Sequence, residues 1–504
     1  MIPLQAQFSG PRGATTAAAP VGRERRISIQ WLVALLLLHA ALAWVEKGRS
    51  ILVTLHGFAI LAAALVYGTD PSHPERTIQA VAYLCGAEVL WRMCAHSSGL
   101  PWEFGKYASV MIMFLAILRR GHVSWLPLLY IALLLPSVPL TMADSELWSP
   151  RQAVSDSLSG PLAIAVAFAF MSQVTLTPRQ VCRTLLCFAV PMTGVAFLCY
   201  SGTFGASEVF FNNDSNKAAS GGYGPNQVSA ALGFGVLCGI FCLLTGEGRL
   251  PLKGLLLLLC LWFGVQSGLT FSRTGLYLVG ICTFTGVLPL LRNARARWAA
   301  LASVVILFVV VNFALLPMLN NFTGGAFEER FENQSLTHRD DIMLGQMRIW
   351  LAHPILGVGP GVVDSVESSL GFRAHTEYTR LVAEHGAFGI AALIILLSCV
   401  YRAFRQARTP YAKAFCLAMA TYGLLFMAVS STRLAVVALA FGLASVRVTP
   451  ENKSARKLVP RESRTPPRRL FAPFASRHLV FLADRGLARL FWVLFPGQCP
   501  KIEP

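Results

Sequence analysis

Residues 321–390 read NFTGGAFEERFENQSLTHRDDIMLGQMRIWLAHPILGVGPGVVDSVESSLGFRAHTEYTRLVAEHGAFGI, the longest polar interruption in a strongly apolar chain. The stretch holds Arg339, a tight HPILGVGPG turn at 353–361, and HTEYTRLVAEHGAFG at 375–389. Outward from it, apolar segments recur near 27–45, 51–68, 77–95, 104–118, 125–141, 161–175, 180–200, 226–245, 253–271, 274–291 and 298–319 on one side. On the other side they fall near 386–403, 411–429 and 432–448. A bilayer core is crossed by about 20 apolar residues in a helix, so this pattern predicts an all-α polytopic membrane protein of about 12 to 14 transmembrane helices. One large loop, 321–385, bearing short helices, interrupts the transmembrane domain 27–448.

Composition agrees. The chain has 504 residues, 55% hydrophobic and only 13% charged, with a mean hydropathy of +0.56. Soluble domains carry about 25% charged residues, which excludes that class. The formal charge of +18 does not indicate nucleic acid, because much of the Lys and Arg falls in short links between apolar segments and in the C-terminal tail. No nucleic-acid partner is expected. Most of the 12 cysteines sit inside apolar runs, Cys85, Cys187 and Cys238 among them, and read as small buried hydrophobes. Residues 1–26 read as a disordered N-terminus, and the first apolar run as an uncleaved helix rather than a secretory signal.

Charge fixes the expected orientation. With the N-terminus cytoplasmic, the inside links carry Arg119, Arg120, Arg179, Arg183, Arg249, Lys253, Arg292, Arg402 and Arg405. The outside links carry Asp144, Glu146, Glu208 and Asp214. The positive-inside rule then puts 321–385 outside and both termini in the cytoplasm. The tail 449–504 is basic; within it, 476–495 (SRHLVFLADRGLARLFWVLF) suits an interfacial helix on anionic lipids, a floppy tail being the other reading.

Few charges lie within the spans. Glu88 and Arg92, four apart, can pair inside the bundle; Glu103 and Lys106 open the next span. Both sets read either as packing ion pairs or as substrate contacts. Three outward clusters carry candidate chemistry. In GGYGPNQVSAAL (221–232), Asn226 lies near a helix start whose free N–H groups suit an anion or a sugar hydroxyl, or simply cap the helix. In LTFSRTGLYL (269–278), Arg273 sits where two spans meet with almost no loop, costly unless it is paired, snorkels to lipid phosphate, or grips an anionic ligand such as pyrophosphate. In the long loop, Arg339, Arg348 and Arg380 supply anion-binding capacity, and His375 can act as a base near neutral pH. The 353–361 turn lacks the Lys-Ser/Thr of a nucleotide loop, and no His, Cys or acidic spacing reads as a metal cage. No metal and no cofactor is expected.

HTEYTRLVAEHGAFG resembles the outer-loop motif of bacterial O-antigen ligases: a His, a small polar residue, nine residues, then Gly-x-x-Gly, here His375, Thr376, Gly386 and Gly389. The Arg339-to-Pro354 spacing followed by GVGPG is similar to the preceding part of that loop, and FSRTG to the family's Arg-bearing span end. Thr376 departs from the commoner Asn, Ser or Gln. The resemblance covers roughly 220–430 and is shared with O-antigen polymerases and protein O-oligosaccharyltransferases. It implies a bacterial inner-membrane enzyme performing an inverting, metal-independent glycan transfer. The donor would be an undecaprenyl-pyrophosphate-linked glycan; the acceptor, lipid A-core or a growing glycan. His375 would be the base on the acceptor hydroxyl, with Arg273 and Arg339 holding the departing pyrophosphate and Arg348, Arg380 and Asn226 as substrate contacts. A repeat-unit polymerase is the alternative within this chemistry. A lipid-linked oligosaccharide flippase is the rival class, but it should show internal repeats and functional charges near mid-membrane.

Overall fold

The computed structural model describes residues 27–94, 99–144, 147, 149–205, 211, 215–245, 250–292, 297–298, 305, 309, 311–332, 339–364 and 376–449. The N-terminus 1–26, the tail from residue 450 with its expected interfacial helix 476–495, and His375 lie outside the described residues.

The described residues are helical almost throughout. In order run α1 (Ile29–Glu46), α2 (Ser50–Gly68), α3 (Pro74–Cys94), α4 (Phe104–Arg120), α5 (Leu126–Ala132), a 3-10 turn (Leu135–Ser137) and α6 (Val138–Ala143). Then come α7 (Pro150–Met171), β1 (Thr175–Leu176), α8 (Pro178–Phe204), α9 (Pro225–Leu244), α10 (Leu250–Leu269) and α11 (Arg273–Val287). Short helices α12 (Leu316–Phe322), α13 (Ala326–Glu332) and α14 (Arg339–Ala352) precede α15 (Glu377–Gln406), α16 (Pro410–Ser430), α17 (Val436–Ser445) and β2 (Arg447–Val448). Among the described residues, 10 helices are long and apolar enough to cross a membrane, as a multi-pass membrane protein requires. Of the other expected spans, α3 is long enough but carries charges, α4 and α17 are short, and 298–319 is described only in part.

α3, α7, α8 and α9 form the interior: α8 is buried over most of its length, with Phe188, Met192, Val195 and Cys199 at its centre. Its start is fixed by a capping box, in which Thr177 accepts from the Gln180 backbone and Gln180 reaches back to the Thr177 N–H. Outer helices display apolar side chains outward, including Leu37 on α1 and Ile51, Leu55 and Val66 on α2. A lipid-facing surface needs this, since backbone polar groups are satisfied inside each helix.

Contacts sort the helix ends onto two faces. On one, Gly48 N donates to Cys94 O at 3.0 Å, and Gly99 N to Thr54 Oγ1 at 3.1 Å. On the other, Arg119 reaches Thr69 O at 3.1 Å, and β1 pairs in parallel with β2, Thr175 opposite Arg447 and Leu176 opposite Val448. Arg119 and Arg447 thus share a face opposite the one from which residue 377 enters the bundle. We call the latter the loop face.

Three elements depart from the sequence expectation. The expected span 125–141 is found at Leu126–Ala143, one of those ten, but it is broken into α5, a turn and α6, because Pro136 and Pro139 remove backbone donors and clash with the preceding turn. α7 begins at Pro150 rather than near 161, and α15 begins at Glu377 rather than 386. Residues 377–385, expected to close the loop, are therefore a helix within the bundle.

Candidate functional site

At the loop face the ends of α4, α7, α9 and α15, the α16–α17 turn and the 359–364 turn line a polar cavity of about 320 Å³. Its architecture follows from the few charges in apolar helices, each of which must find a partner once removed from water.

The first set is the pair foreseen on α3. Arg92 Nη2 donates to Glu88 Oε1 at 2.7 Å, and Glu88 Oε2 accepts the Ala435 N–H at 2.7 Å. α17 has no side-chain cap of its own, so Glu88 supplies the acceptor its N-terminus lacks. Arg92 also reaches Tyr223 Oη and Arg433 O, each at 3.1 Å, and Trp102 O at 2.9 Å, and its guanidinium lies 4.6 Å from the Trp102 ring centroid. The Tyr223 hydroxyl in turn donates a hydrogen bond to Gln227 Oε1. Burial pushes that phenol above its ordinary range against the pull of Arg92, so it stays a neutral donor.

The second set opens α4. Glu103 pairs with Lys106, and Ser159 bridges them, donating to Glu103 Oε2 at 2.9 Å and accepting from Lys106 Nζ at 3.1 Å. The third is centred on Arg380, buried with Glu377 and Glu384. Its Nε and Nη2 hold the two Glu377 oxygens at 3.2 and 2.6 Å. Nη1 holds Glu384 Oε2 at 2.6 Å and the Ser157 hydroxyl, and Nη2 reaches Ser157 O at 3.3 Å. These bonds engage all five N–H donors of a guanidinium. Glu384 Oε1 accepts the Gly361 N–H at 2.9 Å, and Glu377 Oε1 the Thr432 hydroxyl at 3.1 Å. Gly160 makes room for Thr432: a Cβ there would overlap its side chain.

The HPILGVGPG turn is the clamp on this assembly. α15 kinks at Gly386 (φ 57°, ψ −134°), a conformation that suits only glycine. The kink frees carbonyls, and the turn takes them: Val358 N donates to Ala383 O at 3.1 Å and Gly359 N to Glu384 O at 2.9 Å. In return Ala387 N donates to Pro354 O at 2.9 Å. His385, wholly buried, bonds Ser137 through Nδ1, tying the kink to the break between α5 and α6.

The residues singled out from sequence divide. Arg380 is in the cavity wall, engaged throughout by the protein. Asn226 is beside it: its Oδ1 accepts from Ser272 Oγ at 2.7 Å, joining the start of α9 to the cap of α11, while its neighbour Gln227 lines the cavity. Arg273 is the first residue of α11, half-buried, its charge added to the positive end of the helix dipole. The α10–α11 turn before it is held by buried Phe271, at φ 56°, which packs on Phe327 and Phe211 and accepts from Arg330 Nε at 3.1 Å. Arg348 is exposed on α14, outside the cavity. Arg339 begins α14, its side chain beyond what is described, and His375 immediately precedes Thr376, the N-cap residue of α15.

Sequence reasoning missed Asp156, Ser157, Asp364, Glu377, Glu384 and Ser431. The usable signal was a carboxylate in a segment continuous with an apolar helix, as in Asp156 and Glu377. Among the described residues, no group of three or more His, Cys, Asp or Glu is placed to share a metal ion. No protein-family model matches the chain, nor does any curated protein sequence.

Proposed function

We propose that the chain is an inner-membrane glycosyltransferase that moves a glycan from undecaprenyl pyrophosphate to an acceptor hydroxyl at the periplasmic face, with both termini cytoplasmic. The observation that carries this reading is where the buried ion pairs lie. Glu88–Arg92, Glu103–Lys106 and Glu377–Arg380–Glu384 gather at the loop face around one cavity. Chemistry at the membrane surface needs that arrangement; a transporter needs its charges near the bilayer centre, where alternating access can expose them.

In this reading the leaving pyrophosphate is met by Arg273, at the N-terminal end of α11, with Arg339 completing the charge. Displacement at an anomeric carbon needs that stabilisation and one base on the nucleophile. His375 is the base. It withdraws the acceptor proton as the oxygen attacks the anomeric carbon, and the C–O bond to pyrophosphate breaks with its electron pair leaving on phosphate. Arg380 positions Glu377 and Glu384 and through them the start of α15, which follows His375 in the chain; Asn226 holds the α11 cap beside Arg273. Arg348 meets the donor from the exposed side of α14.

The test replaces His375 and Arg273 separately by Ala in a deletion strain and measures surface glycan at matched protein levels. Loss in either variant supports the reading, and normal glycan in both sinks it. In the deletion itself, long undecaprenyl-linked chains point to ligation onto lipid A-core, whereas single repeat units point to polymerisation.

A further inference from the structure

The cavity and the arginine at the head of α11 offer different chemistry, although Asn226 and Gln227 make them neighbours. We propose that the cavity is the seat of an uncharged sugar ring, gripped through its hydroxyls, and that it turns pyrophosphate away. The inference rests on the glycan-transfer reading for the sugar's place in the reaction, but the binding itself stands on the cavity alone.

Charge comes first. The lining carries the carboxylates Glu103, Asp156, Asp364 and Glu377 against the cations Lys106, Arg380 and Arg433. Arg380 has no N–H left to give, and Lys106 is held by Glu103 and Ser159. A multiply charged phosphate would enter a wall with more carboxylates than cations, in which Lys106 and Arg380 are already engaged, and like charges in a poorly solvated space repel strongly. A neutral polyol meets no such penalty.

Two polar atoms in the wall point to what is accepted instead. Ser431 is 5% exposed, and its hydroxyl has no hydrogen-bond partner; Asp364 Oδ1 is likewise buried without one. Leaving such atoms unmatched is costly, so they mark a place where a ligand supplies the match. A sugar hydroxyl is donor and acceptor at once. The hydroxyls of one ring can therefore supply both a donor for Asp364 Oδ1 and an acceptor for Ser431 Oγ. Ser431 is also held at φ 52°, ψ −154°, a region that belongs to glycine, and strain of this kind persists where the surroundings enforce it and clusters at ligand sites. Trp102, 57% exposed at the cavity and backed by the Arg92 guanidinium, gives the apolar C–H face of a sugar ring an aromatic surface. The volume is that of a small-ligand pocket.

The test uses the full chain in lipid nanodiscs without donor lipid, observed by saturation-transfer NMR. The probes are methyl glycosides of hexoses, deoxyhexoses and N-acetylhexosamines and, separately, inorganic pyrophosphate. At least one glycoside should bind saturably and not be displaced by pyrophosphate. Asp364→Ala and Ser431→Gly should each weaken it by about tenfold, the scale of one hydrogen bond to a charged or buried group; Ser431→Gly removes the hydroxyl while suiting the backbone. No glycoside bound by the wild type, or displacement by pyrophosphate, would overturn the inference, and neither observation needs a variant to fold. Glycoside binding without transfer from a lipid-linked donor would remove the transferase reading and leave the sugar seat. Transfer without glycoside binding would do the reverse.

Discussion

Arg380 carries the sharpest energetic consequence. Its guanidinium engages both oxygens of Glu377, one of Glu384, and the hydroxyl and carbonyl of Ser157. Arg380→Ala leaves two carboxylates buried side by side with their shared cation gone. Removing one member of a buried ion cluster costs about 3–5 kcal/mol, mostly the penalty on the charges left behind. Unfolding entropy of about 2.1 cal/mol/K per residue converts that to a fall in Tm of roughly 3–5 °C for a chain of 504 residues. The Arg380→Met, Glu377→Gln, Glu384→Gln triple variant removes every charge together and should recover most of the loss, since a neutral isostere of a buried cluster is often equally stable. Arg380→Lys should fall between, with three donors in place of five and no planar fork. Nanodisc-embedded protein followed by intrinsic fluorescence on heating reads all three. A single Ala variant melting at or above wild type, or a triple variant melting below the single one, would refute the account of this cluster.

Other outcomes follow from the same contacts. Gly386→Ala puts a Cβ at φ 57° against the Ile355 and Gly357 backbone; it should cost at least about 1–3 kcal/mol from strain alone, seen as reduced folded yield on size-exclusion chromatography. Ser431→Gly relaxes a strained backbone and should raise Tm, by the equivalent of up to about 1 kcal/mol, even as it weakens glycoside binding. Arg348→Ala, on the exposed side of α14, should leave Tm within the effect of about 0.5 kcal/mol expected of a surface change.

What the sequence disclosed, and what it hid, have one physical cause. Apolar runs identify membrane-crossing helices whether they face outward, as α1 and α2 do, or lie inside, as α8 and α9 do, so α1, α2, α8, α9, α10, α11 and α16 were legible nearly to their ends. The polar starts of α7 and α15, which line the cavity, were not. The first turns of α7 and α15 carry Asp156, Ser157, Glu377, Arg380 and Glu384, and a hydropathy reading cannot tell a polar residue buried in a network from one in a loop. Both helices therefore begin earlier than hydropathy alone indicates. The Glu88–Arg92 pair was readable because its partner is local, four residues on. Links such as Glu88 to the Ala435 N–H, or Asn226 to Ser272, join residues far apart in sequence, and no local pattern encodes them. The HPILGVGPG turn was legible as a turn; its work, covering the carbonyls opened by the Gly386 kink, depends on two segments meeting.

The central claim is the transfer of a glycan away from a lipid pyrophosphate, and release of undecaprenyl pyrophosphate in reconstituted liposomes tests it most directly. Wild-type protein supplied with an undecaprenyl-pyrophosphate-linked glycan and either lipid A-core or a second lipid-linked glycan should release it and extend one of the two acceptors. His375→Ala should slow release by about 100-fold or more, the usual loss with a general base. No release by the wild type with either acceptor, or release by the His375→Ala and Arg273→Ala variants at the wild-type rate, would contradict the account.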